Sequence, residues 1–364
     1  LASDPALPCN QPIPLRSRPT RPSRSTLVDY RRADGVCYVQ DVHAGPGLDG
    51  VPRGAVKTLR AVALRFRAAG IGSNGNGGPG GGALVSTPIA IGNGAWDPKV
   101  ILGDATVHPD GSAMFRLPAR TPVYFQVRDA NGRMIQTMRS WTPLQPGENA
   151  SCVGCHEHRN TTPAATARPT LAMRAGPQDL KPFYGPPRGF SFSREIQPIL
   201  DRACVTCHSG RDDTPYELTA SEVDDPRAKR RWSRAYLALT HARAANEKNA
   251  GDYRGNADNP LVNWVSAQSA PPMLPPHSAG SARSKLLDLL ESGHEDVALS
   301  TEDLHKLAAW IDLGVPYCGD YTEAADWTAA EVEKYRTFAA KRATLADDEQ
   351  SQITGFLRTR DPSR

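Results

Sequence analysis

Two short stretches of the chain, Cys152-Val-Gly-Cys155-His156 and Cys204-Val-Thr-Cys207-His208, repeat one pattern, C-x-x-C-H. Two thiols spaced this way on one turn can both reach the vinyl edges of a porphyrin. The residue that follows then offers an imidazole to the iron. With 7 cysteines and 9 histidines in 364 residues, random placement produces the pattern roughly once in several hundred such chains. Two copies therefore predict two covalently attached c-type haems. Cys152, Cys155, Cys204 and Cys207 are the attachment points, and His156 and His208 are the proximal iron ligands.

Paired C-x-x-C units also belong to zinc sites, so a zinc-stapled secreted binding module is the alternative in which the four cysteines share one ion. That reading leaves unexplained the histidine after each second cysteine. A thioredoxin-like redox pair fits less well, because neither motif lies in a visible βαβ unit.

The second axial position of each iron separates a carrier from a catalyst. Six-coordinate iron exchanges electrons, whereas five-coordinate iron keeps a place for substrate. The available distal ligands are His43, His108, His158, His241, His277, His294, His305 and Met273. His294 follows a helix end in a loop that can fold over the second haem, and His43 lies just beyond a strand. Met273 stands in the proline-bracketed loop Pro271-Pro-Met-Leu-Pro-Pro276, although methionine is also ordinary core filler. His294 and His43 rank first, then Met273. His305 falls off the strongest apolar stripe and is expected to be solvated.

The elements that carry these residues divide by period. From Leu27 to Thr142 apolar residues alternate: Val62, Leu64 and Phe66; Ala113, Phe115 and Leu117; Val123, Phe125 and Val127. This is the period of a strand with one buried face. His108-Pro-Asp-Gly111 precedes one strand and Asp129-Ala-Asn-Gly132 links two others as a hairpin. A small antiparallel β-sandwich is the economical arrangement. The glycine-rich run 70–82 lacks the Gly-Lys-Ser/Thr of a phosphate loop and reads as an excursion between strands.

After Phe192 the pattern is helical. Ser193 can cap a helix with Ile196, Ile199 and Leu200 on one face, running into Cys204. Further helices are expected over Ala228–Glu247, over Ser284–Ser292 with a stop at Gly293, and from a capping box at Ser300 and Asp303 to Gly314. A last helix begins at Thr328 and reaches toward Thr359. The expected fold is thus a multidomain α+β chain. Residues 1–26 form an extended Pro/Arg-rich connector, 27–160 a β-sandwich-like domain ending in the first haem motif, 161–189 a linker, and 190–364 a helical cytochrome c-like domain carrying the second.

A net charge of +4 is too small to imply a nucleic-acid surface, and no stretch approaches the apolar length of a membrane helix. The chain opens with Leu1 and reads as a processed or excised segment. Covalent haem attachment places it in the periplasm or another extracytoplasmic space. Cys9, Cys37 and Cys318 remain, which allows one disulfide, with Cys9 to Cys37 the natural pairing.

Larger blocks carry a resemblance. Val51-Pro-Arg-Gly-Ala-Val-Lys-Thr-Leu-Arg60, Asp110-Gly-Ser-Ala-Met-Phe115, Pro122-Val-Tyr-Phe-Gln126 and Met138-Arg-Ser-Trp-Thr142, leading into Gly147-Glu-Asn-Ala-Ser-Cys152, resemble the middle domain of hydrazine synthase α-subunit-like proteins. Ile196-Gln-Pro-Ile-Leu200 and Trp310-Ile-Asp-Leu-Gly-Val-Pro-Tyr-Cys-Gly-Asp320 resemble the C-terminal haem domain of that group. The resemblance implies a catalytic-type haem in the first domain and a bis-histidine electron-transfer haem in the second, usually behind a β-propeller that is not recognisable here. It also implies a redox partner protein or further subunits. In hydrazine synthase a tyrosine four residues after the first motif histidine ligates the iron and frees that histidine for zinc. This chain has Asn160 there, so His156 is expected to be the ordinary proximal ligand. The functional expectation is a dihaem electron-transfer protein, with a haem-dependent oxidoreductase acting on small nitrogen compounds as the alternative.

Overall fold

The computed structural model describes residues 27–67, 71, 87–156, 168–211, 214, 216–226, 228–240, 261–265 and 273–360. The proline-rich segment 1–26, the glycine run apart from Ile71, and His158, Asn160 and His241 lie outside the described residues.

Seven strands build the first half: β1 (Asp34–Val39), β2 (Thr58–Leu64), β3 (Lys99–Thr106), β4 (Ala113–Pro118), β5 (Val123–Arg128), β6 (Met134–Thr137) and β7 (Asn149–Cys152). They form two sheets, ordered β4-β1-β7 and β3-β2-β5-β6. Inward residues of the first sheet, Cys37, Val39, Phe115 and Leu117, meet Leu59, Ala61, Ala63 and Val127 of the second in one core cluster. Phe115 is fully buried, and a side chain of that kind contributes roughly 1.5–3 kcal/mol by leaving water. The two turns expected from sequence are formed, with Gly111 and Gly132 at φ 85° and 77°, where a side chain would be strained. Pairing is antiparallel except between β1 and β7, which run parallel with Val39 opposite Cys152. The expected all-antiparallel arrangement is corrected at that pair: the chain leaves β6, crosses back along 140–148 and enters β7 in the direction of β1.

The four-stranded sheet is covered on both faces, which the alternating pattern did not anticipate. Ala61 and Ala63 face the first sheet, while Val62, Ile101 and Tyr124 join a second cluster with Phe192, Ile196, Trp232, Trp310 and Ile311 from the helical half. The guanidinium groups on that second face are paired. Asp104 accepts from Arg60 Nε at 2.8 Å and Arg128 Nη1 at 2.7 Å, and the Arg60 guanidinium lies 4.0 Å from the Phe183 ring centroid. β2 ends at Leu64, so Phe66 lies beyond the strand and is exposed.

The described part of the stretch 161–189 is stitched to both sheets. Single bridges join Gln178 to Phe115, Lys181 to Asp104 and Gly189 to Val100, and α1 (Leu171–Ala175) is capped by Thr170. Beyond it, a π-helical turn (Phe192–Ile196) continues into α2 (Gln197–Ala203). Ser193 does not cap this helix. It sits inside the first turn and donates its hydroxyl to Glu323 Oε1 at 2.8 Å. A two-stranded ribbon of β8 (Glu222–Asp225) and β9 (Arg230–Ser233) leads to α3 (Arg234–Thr240).

Three more helices follow, α4 (Lys285–Ser292), α5 (Thr301–Asp312) and α6 (Ala329–Arg360). α4 stops at Gly293, φ 96°. The capping box of α5 forms with aspartate in place of glutamate: the Asp303 N–H donates to Ser300 Oγ, and the Ser300 N–H to the Asp303 carboxylate. α6 runs back to the first half, where Phe356 meets Tyr30 edge-on at 5.8 Å between centroids. No helix among the described residues is long and apolar enough to cross a membrane.

Candidate functional site

The second motif closes the end of α2. The N–H groups of Cys204 and Val205 both donate to the Leu200 carbonyl, and those of Cys207 and His208 to the Cys204 carbonyl, so the motif is a tight turn continuing the helix. That turn points His208 at a cavity of about 510 Å³. Its walls are leucines from four elements, among them Leu200, Leu239, Leu286, Leu290 and Leu307, and Cys204, Cys207 and His294 line it as well. A volume of this order, apolar except for a few convergent polar groups, is what a cofactor pocket requires.

Within the cavity the rings of His208 and His294 face each other, with centroids 6.2 Å apart and planes inclined by 30°. Two imidazoles bound to one ion through metal–nitrogen bonds of about 2 Å place their centroids roughly 6 Å apart. The residues present therefore fit a haem held by two histidines. His208 is also oriented. Its Nδ1 lies 3.1 Å from the Tyr216 carbonyl oxygen, to which it donates, and this tautomer leaves Nε2 as the ligating atom. Nothing in the sequence marks Tyr216 for that role, because the acceptor is a backbone carbonyl any residue supplies. The leucine wall was partly visible, since Leu200, Leu286, Leu290 and Leu307 belong to apolar helix stripes.

The first motif is built differently. β7 delivers Cys152 alongside Val39, and the pairing continues past the strand ends: Gln40 N–H donates to the Cys152 carbonyl, Asp41 N–H to Val153, and Cys155 N–H to Val42. The 40–48 loop is thereby zipped along the motif. A Cβ at Gly154 would collide with the Ala44 carbonyl, and one at Gly47 with the Cys155 carbonyl. These two glycines are needed for close approach, a signal legible only as the G in Cys-Val-Gly-Cys-His and in Gly45-Pro-Gly-Leu48. Cys152 and Cys155 are half-buried against the inter-sheet core, while His156 is exposed at φ 62°.

His43 rides on this loop. Its backbone N–H donates to Asp41 Oδ1 at 3.0 Å, its Nδ1 is buried with no hydrogen-bond partner among the described residues, and burial holds its pKa below the usual imidazole value. A buried ring nitrogen without a donor or acceptor is the group a metal would satisfy. Met273 belongs to a segment near the same loop: Gln136 Nε2 donates to the carbonyls of both Gly47, at 2.9 Å, and Leu274, at 2.7 Å. Met273 does not line the cavity at the second motif.

The other described histidines do not line the cavity at the second motif. His277 is exposed, with its N–H on the Ile135 carbonyl. His305, expected to be solvated, is half-buried and hydrogen-bonded through Nδ1 to Tyr184 Oη at 2.8 Å. The stripe argument failed there because the segment around Tyr184 folds over that side of α5. His108 occupies the turn before β4.

The two cysteine pairs pack against different core clusters, Cys152 and Cys155 between the sheets and Cys204 against the helical core, so they are not gathered around a shared zinc ion. Cys37 is a buried free thiol that meets the Cys152 thiol, and this contact and burial raise its pKa. Its expected partner Cys9 lies outside the described residues. Cys318 is a fully buried free thiol whose Sγ donates to the Glu323 carbonyl at 3.0 Å, and burial pushes its pKa up to about 12.

Residues 54–157 match the family described as the hydrazine synthase alpha subunit middle domain. The chain is 24% identical over 278 residues to hydrazine synthase subunit alpha of Kuenenia stuttgartiensis, an overlap covering 61% of this chain and 33% of that one. Among solved structures, Kuenenia stuttgartiensis hydrazine synthase superposes with a TM-score of 0.52 at 19% identity, covering 80% of this chain and 44% of that chain. The chain thus spans about a third of the length of the curated relative it matches. The resemblance read from the motifs is borne out, and the mixed α+β fold agrees with the structural match.

Proposed function

We propose that this hydrazine synthase alpha-like chain is an extracytoplasmic dihaem c-type cytochrome that passes electrons through two covalently attached haems. The β-rich unit, residues 27–160, holds the first and the helical unit, 190–364, holds the second in the manner of a cytochrome c. The observation that carries the reading is the placement of His208 and His294 on opposite sides of a leucine-lined cavity, with centroids 6.2 Å apart.

A haem bound there supplies a one-electron couple. The chain's own residues supply the rest. Cys204 and Cys207 would anchor the macrocycle, His208 and His294 would hold its iron, and the Tyr216 carbonyl fixes the His208 ring. The leucines keep water from that space, which would lower the reorganisation accompanying a change of charge. At the first motif, Cys152 and Cys155 would attach the haem and His156 would ligate it, with His43 the favoured second ligand and Met273 on the neighbouring segment. A redox partner protein, and further subunits such as a β-propeller, are the expected company, since the named relative is itself one subunit of an enzyme.

The second reading is a haem oxidoreductase related to hydrazine synthase, acting on small nitrogen compounds at the first motif. It is favoured by the exposure of His156, which contrasts with the half-buried histidine pair at the second. A ferrous visible spectrum with and without carbon monoxide separates the two. The electron-transfer reading predicts no change at either haem. A carbon monoxide band from one haem requires an open iron and favours the oxidoreductase. A colourless protein after expression with haem-maturation machinery removes both.

A further inference from the structure

A second cavity, open on one side, lies where the covered face of the four-stranded sheet meets the end of α5. It is a cavity of about 360 Å³ lined by Lys99, Tyr124, Met138, Trp141, Asp312 and Gly314, among others, and by none of the motif cysteines or histidines. We propose that it binds a small organic carboxylate, anchored by the ammonium of Lys99 and held against the ring of Trp141.

Lys99 opens β3 on the face turned toward the helical half, and only 7% of it is exposed. Among the described residues it makes no ion pair and no hydrogen bond through its ammonium. The charge instead stands 5.7 Å from the Tyr124 ring centroid and 5.8 Å from that of Trp141. Aromatic faces offset part of the lost hydration, and less than a carboxylate would. Burial accordingly draws the Lys99 pKa down to about 8, still above neutrality, so the group carries most of its charge at pH 7.

The acid in the same cavity is already committed. Asp312 accepts from the Ser281 N–H and hydroxyl, both at 2.7 Å. Lys99 is thus a cation in want of an anion, inside a preformed space. Trp141, half-exposed at 49% although its edge packs on Tyr124, provides a flat wall open to an entering molecule. Arg139 also lines the cavity. A planar apolar body bearing one carboxylate satisfies each of these features: size, wall and charge.

The test uses the full chain with its haems, titrated calorimetrically with benzoate and separately with its neutral counterpart benzamide. Benzoate is expected to bind saturably at one site, with benzamide about tenfold weaker or worse. Lys99→Met should weaken benzoate by about tenfold or more while leaving the melting temperature unchanged or higher, because it deletes a buried unpaired charge. The Soret band should not move during the titration, which distinguishes this site from binding at iron. Equal affinity for benzamide, a loss under about threefold in Lys99→Met, a Soret shift in step with binding, or no saturable heat each overturns the proposal. The benzoate and benzamide comparison stands even where the variant does not fold.

Discussion

His294 and Asp312 show how much turns on single side chains. If His294 completes the second iron's coordination, His294→Ala opens that position. The ferrous variant should then gain a carbon monoxide band from the second haem that the wild type lacks, and the midpoint potential of that haem should change. No new band would mean that His294 is a neighbour and not a ligand. Asp312 carries a pH dependence of definite sign. Burial raises its pKa to about 6 from the ordinary 3.8, so the folded state holds the proton more tightly than the unfolded chain. The resulting stabilisation is fully present below about pH 3.8 and is lost as pH rises through about 6. Comparing wild type with Asp312→Asn by denaturant unfolding, the difference should shift by up to about 3 kcal/mol in favour of wild type between about pH 7 and pH 4. At this scale the sequence put His294, after a glycine helix stop, in the loop that the structure brings to the cavity at the second motif, and it was no guide to Tyr216 or to Lys99, whose surroundings depend on segments distant in sequence.

Among elements, the loop at 40–48 and helix α5 are the most instructive. Gly154 lies directly against the Ala44 carbonyl, so Gly154→Ala must push the loop away from the first motif. Haem incorporation should fall at that motif and remain normal at the second, read from the mass of proteolytic haem peptides. Equal loss at both would mean general misfolding. For α5, Ser300→Ala removes the hydroxyl that accepts from the Asp303 N–H, and unfolding should cost about 1 kcal/mol less. That cap was readable because capping is local. The parallel β1–β7 pair was not, because strand direction depends on how the 140–148 segment crosses the sheet edge. The stitched stretch 168–189 looked like a linker for a similar reason: its proline-rich composition forbids long elements, yet single bridges to β3 and β4 need none.

The molecule as a whole is organised by a sheet with no free face. Its polar side read as solvent-facing because Arg60, Gln126 and Arg128 alternate with apolar residues, but Asp104, Phe183 and the Asp312 carbonyl satisfy those groups underneath the helical half. One shared cluster, from Val62 through Tyr124 to Trp310, then couples the β-rich and helical units mechanically. Asp104→Ala leaves two buried guanidinium groups facing each other and should destabilise by about 3–5 kcal/mol, with the β-rich and helical halves unfolding in one transition. Two separate transitions would show that the units are independent. The claim on which all of this depends is that both motifs carry haem. Intact mass under denaturing conditions, on protein expressed with haem-maturation machinery, tests it directly. The account predicts a mass increased by two haems, falling to one when either motif's cysteines are changed to serine, and an unmodified polypeptide mass would contradict it.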